Sequence, residues 1–181
     1  MDIIVGKEFK LNNTCVTIGK FDGIHIGHRK ILDTVLDLSK QYEYVSTVFT
    51  FDFSYFSRDD EKRLNTHEEK IKLLSDMGIE RCIDYPFDEE TKNESPEEFA
   101  EKILKDKLDT KAVVVGDNFR FGRGATGDTS TLEELGTKYG FKVYVIPMVE
   151  YEGSQVSSTR IRDELKAGHT AEAKHMLSEF Y

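Results

Sequence analysis

Short apolar runs alternate with stretches of helical periodicity along most of the chain. The runs predict five strands, at Cys15–Gly19, Tyr44–Phe51, Arg81–Tyr85, Ala112–Gly116 and Lys142–Pro147. In the fourth run the apolar residues follow one another without polar alternation, which is typical of a strand buried on both faces of a parallel sheet. The order of strands and helices therefore predicts an α/β fold, a mostly parallel sheet with helices on both faces.

Several helix starts are marked by Ser or Thr followed three residues later by Glu, the capping-box pattern. Caps and apolar periodicity together predict six helices, which begin at about His28, Thr66, Ser95, Ser130, Ser158 and Thr170. The last two are expected over 158–167 and 170–180, separated by Gly168. The acidic stretch Asp88–Glu98 is expected to be a solvated loop.

Composition narrows the class of protein. The 181 residues are 38% hydrophobic and carry a net charge of −9, which favours a globular domain and argues against nucleic acid as a partner. No apolar stretch is long enough to cross a membrane, and the N-terminal residues do not resemble a secretory leader. Cys15 and Cys82 lie in strand-like runs, which predicts reduced, buried thiols and a cytoplasmic location.

Residues 19–28 are the most informative segment, because they join a predicted strand to a predicted helix. Helix N-termini expose unpaired N–H groups and attract phosphates. Gly23 and Gly27 remove Cβ atoms where a phosphate would approach the backbone. His25 and His28 are three residues apart and can face the same anion. A metal pair and ordinary surface histidines are the alternatives.

A second segment begins the helix near the C-terminus. Ser157, Ser158 and Thr159 precede the helical pattern, so one of them is expected to be the N-cap. Arg160 and Arg162 follow in the first turn, where they oppose the helix dipole unless an anion binds there. The alternative is a capped surface helix with incidental arginines.

A third segment, residues 116–127, follows the most apolar strand, at the end of the sheet where α/β proteins bind ligands. Asn118 could form a hydrogen bond to a substrate, and Phe121 could lie against a flat ring. Phe119 is expected in the core, although both rings could simply pack a loop. Arg123 could reach a phosphate or only keep its loop soluble.

These motifs resemble those of the nucleotidylyltransferase superfamily. Residues 25–28 resemble its His-x-Gly-His signature, and 156–162 resemble its Ser-Ser-Thr-x-x-Arg signature. Residues 19–24 and 115–122 look like the N-terminal FMN adenylyltransferase module of bacterial FAD synthetase. The resemblance implies a Rossmann-like nucleotidylyltransferase fold, in a single FMN adenylyltransferase-like domain over residues 1–181.

The resemblance also implies a reaction, the transfer of AMP from ATP to FMN, with FAD and pyrophosphate as products. Mg²⁺ would accompany ATP, without a dedicated protein site. His25, His28 and Arg162 would be catalytic. The residues implied for ATP binding are Gly19, Phe21, Asp22, Gly23, Gly27, Ser157, Ser158 and Thr159. The residues implied for FMN binding are Asn118, Phe121 and Arg123.

The chain departs from the family pattern in two places. The family has Thr-Phe-x-Pro-His-Pro after the second predicted strand, whereas Phe53, Ser54 and Tyr55 replace the Pro-His-Pro here. This puts the flavin-side contact in doubt. The usual Gly-Arg-Pro link is missing at 177–181, so a riboflavin kinase module is not expected and FMN would come from a separate source.

Three other functions remain compatible with the sequence. A related nucleotidylyltransferase could use another phosphorylated acceptor, such as pantetheine phosphate or nicotinamide mononucleotide. A non-catalytic paralogue could bind flavin or adenine nucleotide, which the altered residues after Asp52 would suit. An unrelated protein could share only the fold.

Overall fold

The computed structural model describes residues 1–52 and 63–177. The strands of its main sheet are β1 Asp2–Val5, β2 Thr14–Ile18, β3 Val45–Asp52, β4 Arg81–Pro86, β5 Thr110–Gly116 and β6 Lys142–Ile146. Their order is β1-β4-β3-β2-β5-β6, and all neighbouring pairs are parallel. The predicted α/β fold is confirmed. All five predicted strands are present, and β1 is an edge strand that the pattern did not predict.

The helices lie between and after these strands. They are α1 Ile26–Tyr42, α2 His67–Asp76, α3 Glu89–Asn93, α4 Pro96–Glu98, α5 Thr129–Tyr139, α6 Ser158–Ala167 and α7 Thr170–Met176. A π-helix, Phe99–Lys107, continues α4, and Arg123–Ala125 forms a 3₁₀ turn. A short antiparallel pair, β7 Glu150–Tyr151 and β8 Ser154–Gln155, precedes α6.

The helix starts test the cap predictions. The capping boxes at Thr66 and Ser95 are both formed, and Gly168 ends α6 in the left-handed conformation. The predicted cap at Ser130 is wrong, because the Asp128 carboxylate accepts the Thr131 N–H and hydroxyl hydrogen bonds, at 2.9 and 3.0 Å, and starts α5 earlier. The prediction of a loop over Asp88–Glu98 is also wrong, because α3 and α4 occupy most of it.

Side chains on both faces of the sheet are buried. Val16 and Val113 point to one face, whereas Cys15 and Val114 point to the other. The first face is covered by the π-helix and α5, and the second by α1 and α2. Both cysteines are buried and unpaired, as predicted.

The sheet topology places a ligand site at β2. From β2 the chain proceeds outward through β3 to β4, then returns to the other side of β2 to form β5 and β6. In open α/β sheets this reversal opens a crevice beyond the carboxyl ends of the strands.

The described part of the chain does not include Phe53, Ser54 and Tyr55, nor the C-terminal residues 178–181. In the part that is described, no helix has the length and apolar character of a membrane span.

Candidate functional site

The loop that follows β2 brings two histidines to the start of α1. Residues 19–24 carry the chain from the strand to His25, which is the N-cap of α1. The His25 Nδ1 accepts a hydrogen bond from the His28 backbone N–H at 3.2 Å. The helix therefore begins at Ile26, two residues earlier than the apolar pattern predicted, and His28 lies in its first turn.

The two imidazole rings stack on each other. Their centroids are 3.7 Å apart and their planes differ by 14°, and the Phe21 ring lies 5.1 Å from that of His28. Burial lowers the pKa of His25 to about 4, although Asp22 opposes the shift. Burial, together with the neighbouring His25, lowers the pKa of His28 to about 3. Both rings are therefore neutral at pH 7, and His25 carries its proton on Nε2, because its Nδ1 is an acceptor.

Gly23 and Gly27 differ in their surroundings. A Cβ on Gly27 would lie 3.2 Å from the His25 ring, so the glycine lets that ring lie against the first turn of α1. Gly23 has a φ of +61°, and a Cβ there would lie 2.5 Å from Leu64. Gly27 lines the cleft described below, whereas Gly23 is buried under Leu64 and is required by packing rather than by an open phosphate path.

The first turn of α6 lies against the same loop. Ser157 is its N-cap, and the Ser158 hydroxyl donates to the Asp22 carbonyl at 2.7 Å. The Arg162 guanidinium forms an ion pair with the Asp22 carboxylate at 2.5 Å and also donates to the Thr159 hydroxyl. The N-terminal and C-terminal motifs therefore meet at Asp22, which is 136 residues from Ser158 in sequence.

Asp22 also holds the segment before α2, since its other carboxylate oxygen accepts the Leu64 N–H at 2.8 Å. It thus connects three parts of the chain and places a negative charge near His25 and Arg162. Arg160 behaves differently from Arg162. It donates to the carbonyls of Tyr151 and Ser154, which fixes the β7–β8 turn, and it does not line the cleft.

The third motif is divided between the cleft and the core. Asn118 and Phe119 line the cleft. Phe121 is 8% exposed and packs in the core against Phe99 and Phe119, because paired hydrogen bonds to Gly127 hold it inward. Phe121, expected against a flat ring, therefore lies in the core, whereas Phe119, expected in the core, packs against the core and also lines the cleft. Arg123 is exposed and lies outside the cleft lining.

A cleft of about 680 Å³ opens at the carboxyl ends of β2, β3, β5 and β6. Eleven of the fourteen residues named from the sequence line it: Gly19, Phe21, Asp22, His25, Gly27, His28, Asn118, Ser157, Ser158, Thr159 and Arg162. Gly23, Phe121 and Arg123 do not. The two imidazoles and Arg162 line the same cleft, and a helix N-terminus together with a guanidinium suits a phosphate-bearing ligand.

Two walls flank this centre. The β3–α2 wall consists of Phe51, Arg63, Asn65, Thr66, His67 and Lys70. The β5–β6 wall consists of Gly116, Asn118, Phe119, Ile146, Pro147, Met148 and Val149. Because β3 and β5 are neighbours of β2 on opposite sides, the walls are about 10 Å apart at the strand ends. The first wall is basic and the second mostly apolar.

Sequence reasoning missed all of the β3–α2 wall except its helix cap. Lys70 on α2 donates to the Thr50 hydroxyl at 3.1 Å, and burial lowers its pKa, although Asp84 opposes the shift. Asn65 is 5% exposed. No motif covers these positions, and a basic residue in the first turn of a capped helix was the available signal.

The described residues contain no group of three His, Cys, Asp or Glu side chains arranged to hold a metal ion. In the site itself, the Asp22 carboxylate is already bonded to Arg162 and to the Leu64 N–H. The side chains described thus do not fit a protein cage for Mg²⁺.

Comparison with known proteins adds a family. The family model described as FAD synthetase matches residues 7–160. The FAD synthetase of Listeria monocytogenes is 32% identical over 90% of this chain and 67% of its own length. The bifunctional riboflavin kinase/FMN adenylyltransferase of Buchnera aphidicola from Schizaphis graminum is 35% identical over 84% of this chain and 51% of its own. The chain spans about half the length of such bifunctional relatives.

Two solved structures share the fold. The crystal structure of macrolide-efflux protein from Streptococcus pneumoniae superposes with a TM-score of 0.87 at 24% identity, over 98% of this chain and 61% of that one. The pantoate-beta-alanine ligase of Francisella tularensis superposes with a TM-score of 0.57 at 13% identity, over 94% and 78%. At these identities the likeness concerns the fold alone.

Proposed function

The chain belongs to the FAD synthetase family, and on that premise we propose that it transfers the adenylyl group of ATP to FMN, producing FAD and pyrophosphate. One observation carries the proposal. The N-terminus of α1, with its two stacked imidazoles, and the first turn of α6, with Arg162, line one cleft at the reversal point of the sheet. Exposed helix N–H groups, imidazoles and a guanidinium in one hollow suit a nucleoside triphosphate.

The proposed step is an in-line displacement. An oxygen of the FMN phosphate forms a bond to the α-phosphorus of ATP, and the bond from that phosphorus to the bridging oxygen breaks. The electron pair leaves with pyrophosphate. A phosphate dianion is already a nucleophile at neutral pH, so the step needs no general base. The lowered pKa values of His25 and His28 are compatible with this, since neither ring has to accept a proton.

Transition-state stabilisation would come from groups that are held in place before the substrates bind. The His25 Nε2–H and the first N–H groups of α1 would donate to the α-phosphoryl oxygens, and Arg162 would contact the leaving pyrophosphate. The His25 ring is fixed by stacking on the His28 ring and by the hydrogen bond that its Nδ1 accepts from the His28 N–H. Such preorganised donors supply the largest part of catalysis in phosphoryl transfer.

Mg²⁺ would bind with ATP and neutralise charge on its phosphates. The described side chains do not fit a cage for the ion, so we derive no step in which they hold it. Around the proposed position of the ATP phosphates, the described residues supply helix N-termini and the Arg162 guanidinium as positive groups.

We assign the two substrates to the two walls. The Val156 N–H donates to the Val149 carbonyl at 2.9 Å, so the N-terminus of α6 is joined to the β5–β6 wall. ATP phosphates held at α6 would direct the adenosine into this apolar wall. The β3–α2 wall then remains for FMN. This assignment moves Asn118 from the flavin to the adenosine.

A direct assay tests the function. Purified protein would be incubated with ATP, Mg²⁺ and one of three acceptors: FMN, pantetheine phosphate or nicotinamide mononucleotide. Of the three acceptors, we expect only FMN to support pyrophosphate release, with FAD as the product. Turnover with another acceptor would identify a related nucleotidylyltransferase. FMN binding without turnover would identify a non-catalytic flavin-binding protein.

A further inference from the structure

Asn65 presents an unusual buried side chain. It is 5% exposed and lines the cleft, and neither its Nδ2 nor its Oδ1 has a hydrogen-bond partner among the described residues. A buried carboxamide without partners costs free energy, since it has lost its hydrogen bonds to water. Such a group in a cleft is available for hydrogen bonds to a bound ligand, because no described residue satisfies it.

The surrounding chain does not use Asn65 for its own structure. The preceding Leu64 N–H is bonded to Asp22, and the following Thr66 forms a complete capping box with Glu69. The helix start is therefore satisfied without the Asn65 amide. Both neighbours are anchored, so the position of Asn65 on the cleft wall is fixed before any ligand binds.

The charged side chains on the same wall indicate which hydrogen-bonding groups a ligand would present to Asn65. Arg63 and Lys70 both line it, and the Lys70 Nζ donates to the Thr50 hydroxyl at 3.1 Å. Basic side chains on this wall favour carbonyl oxygens over an amino group, although the Asp84 carboxylate, 3.6 Å from His67, also acts on Lys70. The carboxamide offers one donor and one acceptor, which suits an N–H next to a C=O.

We propose that Asn65 reads the imide edge of the flavin ring, where an N3–H lies between two carbonyl groups. The Asn65 Oδ1 accepts from N3–H and its Nδ2–H donates to an adjacent carbonyl, with Lys70 and Arg63 favouring the carbonyl-rich edge. The adenine edge, an amino group next to a ring nitrogen, would place its amino hydrogens toward the cations. This inference rests on the proposed function, and it makes Asn65 a specificity-determining residue for the acceptor.

The test compares Asn65→Leu with wild type, using FMN and N3-methyl-FMN as probes and quenching of flavin fluorescence as the readout. Wild type should bind N3-methyl-FMN at least about tenfold more weakly than FMN, since the methyl group removes the donor. The variant should bind FMN about tenfold more weakly and lose this discrimination, with unchanged affinity for a non-hydrolysable ATP analogue. Asn12→Leu, the same change at an exposed position outside the cleft, should match wild type.

Thermal stability supplies a second readout. Replacing an unpartnered amide by an apolar side chain should leave the ligand-free Tm unchanged or higher, whereas loss of a structural hydrogen bond would lower it. Equal binding of FMN and N3-methyl-FMN by wild type would overturn the proposal even if the variant did not fold. Loss of ATP-analogue affinity in the variant, or a lowered ligand-free Tm, would also overturn it. If wild type does not bind FMN at all, the proposed function itself fails.

Discussion

The neutral state of His25 leads to a measurable dependence of stability on pH. Its pKa is about 4 in the folded protein, compared with 6.5 for an ordinary histidine, because the ring is buried. Between these values the unfolded chain binds a proton that the folded chain does not. Stability is therefore highest above about pH 6.5 and falls as the pH decreases toward 4. A shift of this size corresponds to about 3 kcal/mol for His25.

His25→Asn isolates this contribution. Asparagine is a good N-cap residue, so its side-chain oxygen can still accept the His28 N–H while the titrating ring is removed. Urea unfolding followed by circular dichroism at pH 7.5, 6.0 and 4.5 would give the free energy of unfolding of both proteins. We expect the difference, wild type minus variant, to fall by about 2–3 kcal/mol between pH 7.5 and 4.5.

An exposed histidine supplies the control. Glu164 raises the pKa of His169, so its stabilising contribution is present below the unfolded pKa and is lost as the pH rises. His169→Asn should therefore change the pH dependence in the opposite direction. A difference between wild type and His25→Asn that stays constant from pH 7.5 to 4.5 would show that the His25 pKa is not lowered, and the argument for a neutral donor would be wrong.

Three further predictions concern the reaction. Because His28→Ala removes the ring on which the His25 donor stacks, it should raise the barrier for FAD formation by up to about 2–4 kcal/mol, measured as kcat, and normal turnover would remove His28 from the site. Arg162→Ala should weaken binding of an ATP analogue in calorimetry more strongly than Arg160→Ala, because Arg160 fixes the β7–β8 turn outside the cleft; equal losses would contradict the role of Arg162. Asn118→Ala decides between the two walls: a rise in KM for ATP alone supports the adenosine assignment, and a rise in KM for FMN alone supports the one implied by the sequence.

The strands and most helices could be predicted because their signals are local. The unbroken apolar run in β5 required burial on both faces, and the capping boxes at Thr66 and Ser95 form within four residues. β1 was missed because it is short and lies at the sheet edge, where Val5 is 75% exposed. α3 was missed because its many carboxylates indicate solvent, although they also favour a helix N-terminus.

The candidate site could be predicted from the sequence where a single motif contained both a helix N-cap and the polar side chains that line the cleft. The loop before α1 and the first turn of α6 each combine a cap with polar side chains, and both line the cleft. The inward position of Phe121 depends on pairing with Gly127, which no local pattern shows. Asn65 is marked only by the absence of partners, a property that exists once the chain is folded.

The contact between Asp22 and Arg162 has a consequence for how the proposed reaction would end. Before any ligand binds, the Arg162 guanidinium is already paired with the Asp22 carboxylate, 2.5 Å away. A triphosphate that binds to Arg162 would have to displace the Asp22 carboxylate, which would lower the affinity for the triphosphate. When pyrophosphate leaves in the proposed reaction, the Asp22 carboxylate would pair with Arg162 again, which would favour release of the product.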